Sequence, residues 1–152
     1  MDSRTRDVEV QLQGEGPWIL DSNNRVVDLR YDEEAAAAGL SQQQQQQGHD
    51  AITLIFTPGH TQGHVCLFDP SDQALLSGDH LSQVDSAPDG TLGAPLHVYT
   101  DFNWYSMPKQ LSSIDKLKQY HFRTILPGHG RIAHFNEVSQ KDRAIEALLL
   151  QF

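Results

Sequence analysis

Polar and apolar residues alternate at the start of the chain. Val8, Val10 and Leu12 flank Glu9 and Gln11, a period of two that predicts a strand with one buried face. Trp18-Ile19-Leu20 is apolar, Asp21-Ser22-Asn23-Asn24 signals a turn, and Val26, Val27 and Leu29 resume an extended pattern. These residues predict a strand–turn–strand meander. Ala51-Ile52-Thr53-Leu54-Ile55-Phe56 is a short, β-branched-rich run closed by Thr57-Pro58-Gly59, and reads as a strand. Residues 64–68 form the next strand, Asp69-Pro70-Ser71-Asp72 a tight turn, and residues 73–77 the returning hairpin partner. Another apolar run, Thr124-Ile125-Leu126, ends on Pro127 and Gly128. A helix is predicted from Met107 or Pro108, with Leu111, Ile114, Leu117 and Tyr120 at three-residue steps. A second runs from about Asn136, its expected N-cap, to the end, with Val138, Ile145, Leu148, Leu149 and Phe152 as its apolar face. Helices around antiparallel hairpins give a layered α/β arrangement.

Two stretches break the pattern. Residues 32–50 hold an acidic triplet, four alanines, Gly39-Leu40-Ser41 and six glutamines, residues 42–47. Asp32 is suited to cap a short helix through the alanines, which Gly39 would end. The polyglutamine tract has little to bury and reads as a low-complexity loop insertion in a single domain spanning residues 1–152. Residues 82–101 are rich in Ser, Asp, Gly and Pro and are expected to form a long loop facing a substrate.

The formal net charge of −9 argues against binding to nucleic acid through its phosphates. No apolar run approaches the ~20 residues that span a bilayer, so no membrane partner is expected. The first residues show no secretory h-region and no intact transit peptide, which implies an intracellular protein. A single cysteine, Cys66, excludes an intramolecular disulfide and is expected to be a small buried hydrophobe.

Candidate chemistry sits where strands end. Thr57-Pro58-Gly59-His60-Thr61-Gln62-Gly63-His64 follows the first strong strand. Leu75-Leu76-Ser77-Gly78-Asp79-His80 and Leu126-Pro127-Gly128-His129-Gly130 repeat the arrangement. In each, a rigid or small residue ends an apolar run and a metal-capable side chain follows at once. His60, Asp79 and His129 are therefore the candidate metal ligands. His64 is expected to support the site, and His80 to orient a ligand or line the pocket. His49, His97, His121 and His134 have no such context. Gly128-His129-Gly130-Arg131-Ile132-Ala133 matches G-x-G-x-x-A, but a dinucleotide site needs a helix beginning within the glycines, and here the helix is expected only after Phe135.

The ordered set T-P-G-H-T-x-G-H, G-D and L-P-G-H resembles the second half of the metallo-β-lactamase fold, in the style of the glyoxalase II-like hydrolases. The similarity runs from about Ile52 to about Arg131. Residues 65–80 and 104–130 are also similar to plastid-type plant and algal members, some of them joined to a ferredoxin-like domain. The resemblance implies the C-terminal half of an αββα fold, with an antiparallel-rich sheet and helices on one face. It implies zinc or iron held by His60, bridging Asp79 and His129, and, through the plastid-type members alone, a chloroplast location. The family's first metal motif, H-x-H-x-D-H, does not occur in these 152 residues. His60 and His129 would each begin the shell of a different metal, and Asp79 would touch both, with neither shell complete.

Three functions follow from that resemblance. One is metal-dependent hydrolysis of an ester, thioester, amide or phosphoester, weak or inactive in this chain because the first motif is absent. The second is a partial domain acting as a non-catalytic binding or assembly module, with a partner chain or a homo-oligomer covering the sheet face that a missing half would cover. The third, a redox accessory, would need another polypeptide, since this chain lacks the cysteines for an iron–sulfur cluster.

Overall fold

The computed structural model describes Gly16 and residues 18–20, 26–28 and 52–152. Its strands are β1 (Trp18–Leu20), β2 (Val26–Asp28), β3 (Thr53–Phe56), β4 (Val65–Asp69), β5 (Ala74–Gly78), β6 (Ser82–Gln83), β7 (Leu96–His97), β8 (Thr124–Pro127) and β9 (Ala133–His134). The helices are α1 (Met107–Lys116) and α2 (Val138–Leu149). Among the described residues one sheet has the order β2-β1-β3-β4-β5-β8-β9, and β6 and β7 pair separately. The expected strand at residues 8–12, the alanine helix, the glutamine loop and His49 lie outside the described residues.

Strand direction decides where the functional residues go. β3 and β5 each run antiparallel to β4, and β8 runs parallel to β5. β3, β5 and β8 therefore point the same way, and their C-terminal ends share one rim of the sheet. The parallel pair needs a crossover, which α1 supplies.

The two faces of the sheet differ. Thr53, Phe68, Leu75, Ile125 and Ala133 stand in register across five strands and are all buried. With Ile55 and Cys66 they form the face on which α1 and α2 lay Ile114, Ile145 and Leu148. Leu54, Leu67, Leu76 and Leu126 form the adjacent row on the opposite face. Leu76 is 40% exposed and Leu126 37%. Cys66 is a buried hydrophobe with its thiol pushed up to about 12, chiefly by burial.

Helix α1 turns a different face inward from the one its periodicity suggests. Gln110, Ser113 and Ile114 are buried, while Leu111 is only half-buried. Steps of three lag a 3.6-residue turn, so Leu111 and Leu117 cannot share one side of an α-helix. The chain tightens into a 3-10 turn at Leu117–Gln119, where steps of three do line up, and Leu117 and Tyr120 are buried there. Helix α2 starts one residue later than expected. Glu137 takes the N-cap position without a side-chain cap, and the Asn136 amide donates to Gln140 Oε1 at 2.8 Å. Its inward face includes Lys141, whose side chain is fully buried. That ammonium donates to the Tyr120 carbonyl at 2.9 Å, pairs with Asp142 at 2.5 Å and lies 4.6 Å from the centre of the Phe122 ring. Phe152 lies past the helix end and is 58% exposed.

The expected long loop at residues 82–101 contains β6, β7 and the start of a 3-10 turn at Thr100–Phe102. No period of two was visible there because each strand is two residues long. Ala133, within the glycine-rich decoy, belongs to β9, which pairs back onto β8 instead of opening a helix.

Candidate metal centre

Each candidate side chain is presented by a braced turn. After β3 the Thr57 amide donates to the His64 carbonyl at 2.9 Å and the Gly59 amide to the Thr61 carbonyl at 3.0 Å, which braces the turn that carries His60. After β5, Gly78 has φ +53° and the His80 amide donates back to Ser77 at 3.1 Å, which turns Asp79 over the rim. After β8 the Gly128 amide donates to the Gly78 carbonyl at 2.7 Å, locking the His129 turn against the Asp79 turn. A Cβ on Gly128 would stand 2.9 Å from Asp79 Oδ1, so a larger residue there would push the carboxylate aside.

The structure brings His60, Asp79 and His129 together. His129 Nδ1 lies 2.6 Å from Asp79 Oδ1, and His60 Nε2 lies 3.7 Å from Asp79 Oδ2. The two carboxylate oxygens thus face different imidazoles. The exposure is graded: 12% for the His60 side chain, 33% for Asp79 and 80% for His129.

Two further histidines back this trio. The His64 ring is edge-on to His60 at 6.0 Å and stacks on His80 at 4.8 Å. Thr57 Oγ1 lies 2.9 Å from His64 Nδ1, which supports the expected bracing role of His64. Burial first, and then the neighbouring His60, hold His64 below the usual histidine range. His80 is fully buried, and among the described residues neither ring nitrogen has a hydrogen-bond partner. Burial first, then His64, pushes it down to about 3. It is therefore a neutral ring packed beneath the site.

The donor types suit a divalent cation, since imidazole and carboxylate both serve zinc and iron. Among the described residues, however, no three His, Cys, Asp or Glu side chains are grouped so as to enclose an ion. His60 and His129 converge on the carboxylate of Asp79 and not on a common empty point. A 2.6 Å contact between Nδ1 and Oδ1 is a hydrogen bond, so that nitrogen has no free lone pair in this arrangement. The three residues fit a partial ligand set in which Asp79 already engages Nδ1 of His129.

A family model described as the metallo-beta-lactamase superfamily matches residues 38–129, more than half of the chain. The chain belongs to the metallo-beta-lactamase superfamily. A curated relative, the beta-lactamase-like protein 2 homolog of Caenorhabditis elegans, is 33% identical over 81 residues. That alignment covers 53% of this chain and 22% of the relative, so the chain spans about a fifth of its length. Among solved metallo-beta-lactamase structures, the BLEG-1 B3 enzyme is 25% identical with a TM-score of 0.43, covering 62% of this chain and 39% of its own. A family protein from Thermus thermophilus is 20% identical with a TM-score of 0.43, covering 67% of this chain and 30% of its own. These matches give no support to a chloroplast location. Among the described residues no helix is long and apolar enough to cross a membrane.

Sequence reasoning missed Gln110 and Asn103. Asn103 Nδ2 donates to the Gly59 carbonyl at 3.0 Å and to Gln110 Oε1 at 2.5 Å, and Gln110 Nε2 donates to the His80 carbonyl at 2.8 Å. A polar residue one place before an apolar one in a helix reads as solvent-facing, and only the orientation of α1 shows otherwise.

Proposed function

We propose that this chain carries part of a metal-dependent hydrolase centre of the metallo-beta-lactamase type, with His60, Asp79 and His129 as its ligands and zinc or iron as the cation. The observation that carries the reading is the division of Asp79, one oxygen toward each imidazole. When bound, such a cation supplies Lewis acidity and lowers the pKa of water. The chain's own residues contribute a carboxylate suited to bridging, a shielded imidazole at His60 and a solvent-facing imidazole at His129. The Asp79 carboxylate engages Nδ1 of His129, so Nε2 is the nitrogen of that ring that would serve a cation.

A catalytic zinc site usually has three protein ligands, and this set divides among two incomplete shells. The 152 residues are therefore expected to bind zinc weakly and to turn over a thioester no faster than background. The check is equilibrium dialysis against buffered zinc, paired with a thioesterase assay. Uptake should fall further in His60→Ala and in Asp79→Asn. Tight stoichiometric zinc, lost in His60→Ala, would overturn the weak-binding reading in favour of a working enzyme. Uptake indifferent to both substitutions would remove these residues as ligands.

The outer leucine row favours a second reading, an assembly role. Leu54, Leu67, Leu76 and Leu126 lie side by side in register, and two of them are more than a third exposed. Such a row presents a self-complementary apolar stripe, and its proposed occupant is a second copy of this chain. Sedimentation should show concentration-dependent dimers that Leu76→Lys with Leu126→Lys abolishes. A monomer at all concentrations would discard this reading.

A further inference from the structure

Gln110 occupies a place that helical packing would ordinarily give to an apolar side chain, and it is only 1% exposed. Its carboxamide reaches two separate turns. On one side Oε1 accepts from Asn103 Nδ2, which also donates to the carbonyl of Gly59, next to His60. On the other side Nε2 donates to the carbonyl of His80, next to Asp79. The orientation of the amide is fixed by its partners. Reversing it would set two donors against each other at Asn103 and two acceptors against each other at His80.

The same segment is tied to the His60 turn through its backbone. Trp104 N–H donates to the His60 carbonyl at 2.9 Å and Ser106 N–H to the Gly59 carbonyl at 2.9 Å. Asn103 Oδ1 accepts from Tyr105 N–H at 3.2 Å, so the asparagine is held at both ends of its amide. Gly59 approaches so closely that a Cβ there would stand 2.2 Å from Gln110 Cα. The crossover helix and the turn before it thus bind two of the three ligand-bearing turns of the rim, those of His60 and Asp79, from residues far away in sequence.

We infer that Gln110, acting with Asn103, is a positioning residue that sets the His60 turn and the Asp79 turn at a fixed separation. This inference extends the metal-centre reading, since the separation it fixes is the one between two of the proposed ligands. Its physical basis is that orienting partners behind ligands commonly change metal affinity by about 10–100-fold when removed.

The test uses Gln110→Met, which keeps length and apolar packing but deletes both hydrogen bonds, with Lys141→Met as a control that loosens the molecule elsewhere. Hydrogen exchange on the metal-free chain follows the amides of Trp104 and His80. In Gln110→Met both should exchange about tenfold faster relative to core amides, whereas in Lys141→Met they should keep step with the core. Acceleration at only one of the two turns, or at neither, would overturn the inference and leave Gln110 as a packing residue. Cobalt(II) titration on the same proteins should show about 10–100-fold weaker uptake and an altered visible absorption band in Gln110→Met. Unchanged uptake and absorption beside a lowered melting temperature also overturns it. A wild-type chain that takes up no cobalt counts against the metal-centre reading, and the exchange result then decides the positioning role by itself.

Discussion

Gly59→Ala is expected to destabilise the chain by about 4 kcal/mol, combining a strained backbone with a steric clash. Gly59 has φ +152°, a conformation that L side chains rarely adopt. The added methyl would stand 2.2 Å from Gln110 Cα and 2.4 Å from its amide nitrogen. Those atoms belong to the first turns of α1 and cannot swing aside as a flexible side chain would. Either the His60 turn opens or the helix moves off the sheet. Gly63 provides the comparison, because it lies four residues away in the same turn and a Cβ there would meet nothing within 4 Å. Gly63→Ala should therefore change stability by only about 0.5 kcal/mol or less. Urea midpoints of the two variants decide the matter. Equal midpoints would mean that the close approach of Gly59 to α1 is absent in solution.

The second large effect is acid sensitivity set by His80. Its pKa of about 3 lies well below the ordinary 6.5, so between those values the unfolded chain binds a proton that the folded chain refuses. Stability is therefore complete above pH 6.5 and declines as the pH falls toward 3, by up to about 1.4 kcal/mol for each unit. The charge is resisted by burial and by the neighbouring imidazoles of His64 and His60, with Lys116 adding to the repulsion. The backbone of Gln110 beside the ring offsets part of this repulsion. In His80→Leu the penalty disappears. Unfolding in urea at pH 6.5 and 4.5, on metal-free protein, should show a stability loss about 2 kcal/mol smaller in His80→Leu than in the parent. Parallel losses in the two proteins would mean that His80 takes up its proton while folded.

Much of the site could be read from the sequence because its signals are local. A β-branched run followed by Pro-Gly or Gly and then by His or Asp needs only a few residues to declare itself, and β3, β5 and β8 end as those residues suggest. That the three ends meet was a different kind of statement. It depends on β8 lying parallel to β5, a pairing between residues about fifty apart that no short window contains. The same holds for the short strands β6, β7 and β9, which exist only through their partners. Helix α1 existed on the page but not its orientation, since a three-residue spacing fitted the 3-10 turn after Lys116 better than the helix before it. Gln110 and Lys141 were invisible for a common reason. Both are polar residues on a buried face, and their burial is made tolerable by backbone carbonyls that only the folded chain supplies.

The parallel pairing of β5 with β8 also sets a timetable for biosynthesis. As the polypeptide leaves the ribosome, β3, β4 and β5 can zip up as soon as they emerge. The edge of β5 then stays bare until some fifty more residues, including all of α1, have been made. During that interval the nascent hairpins offer unpaired amides and carbonyls to any passing strand. Shielding that edge cotranslationally is thus a demand that falls on the cell's chaperones before His129 has even been polymerised.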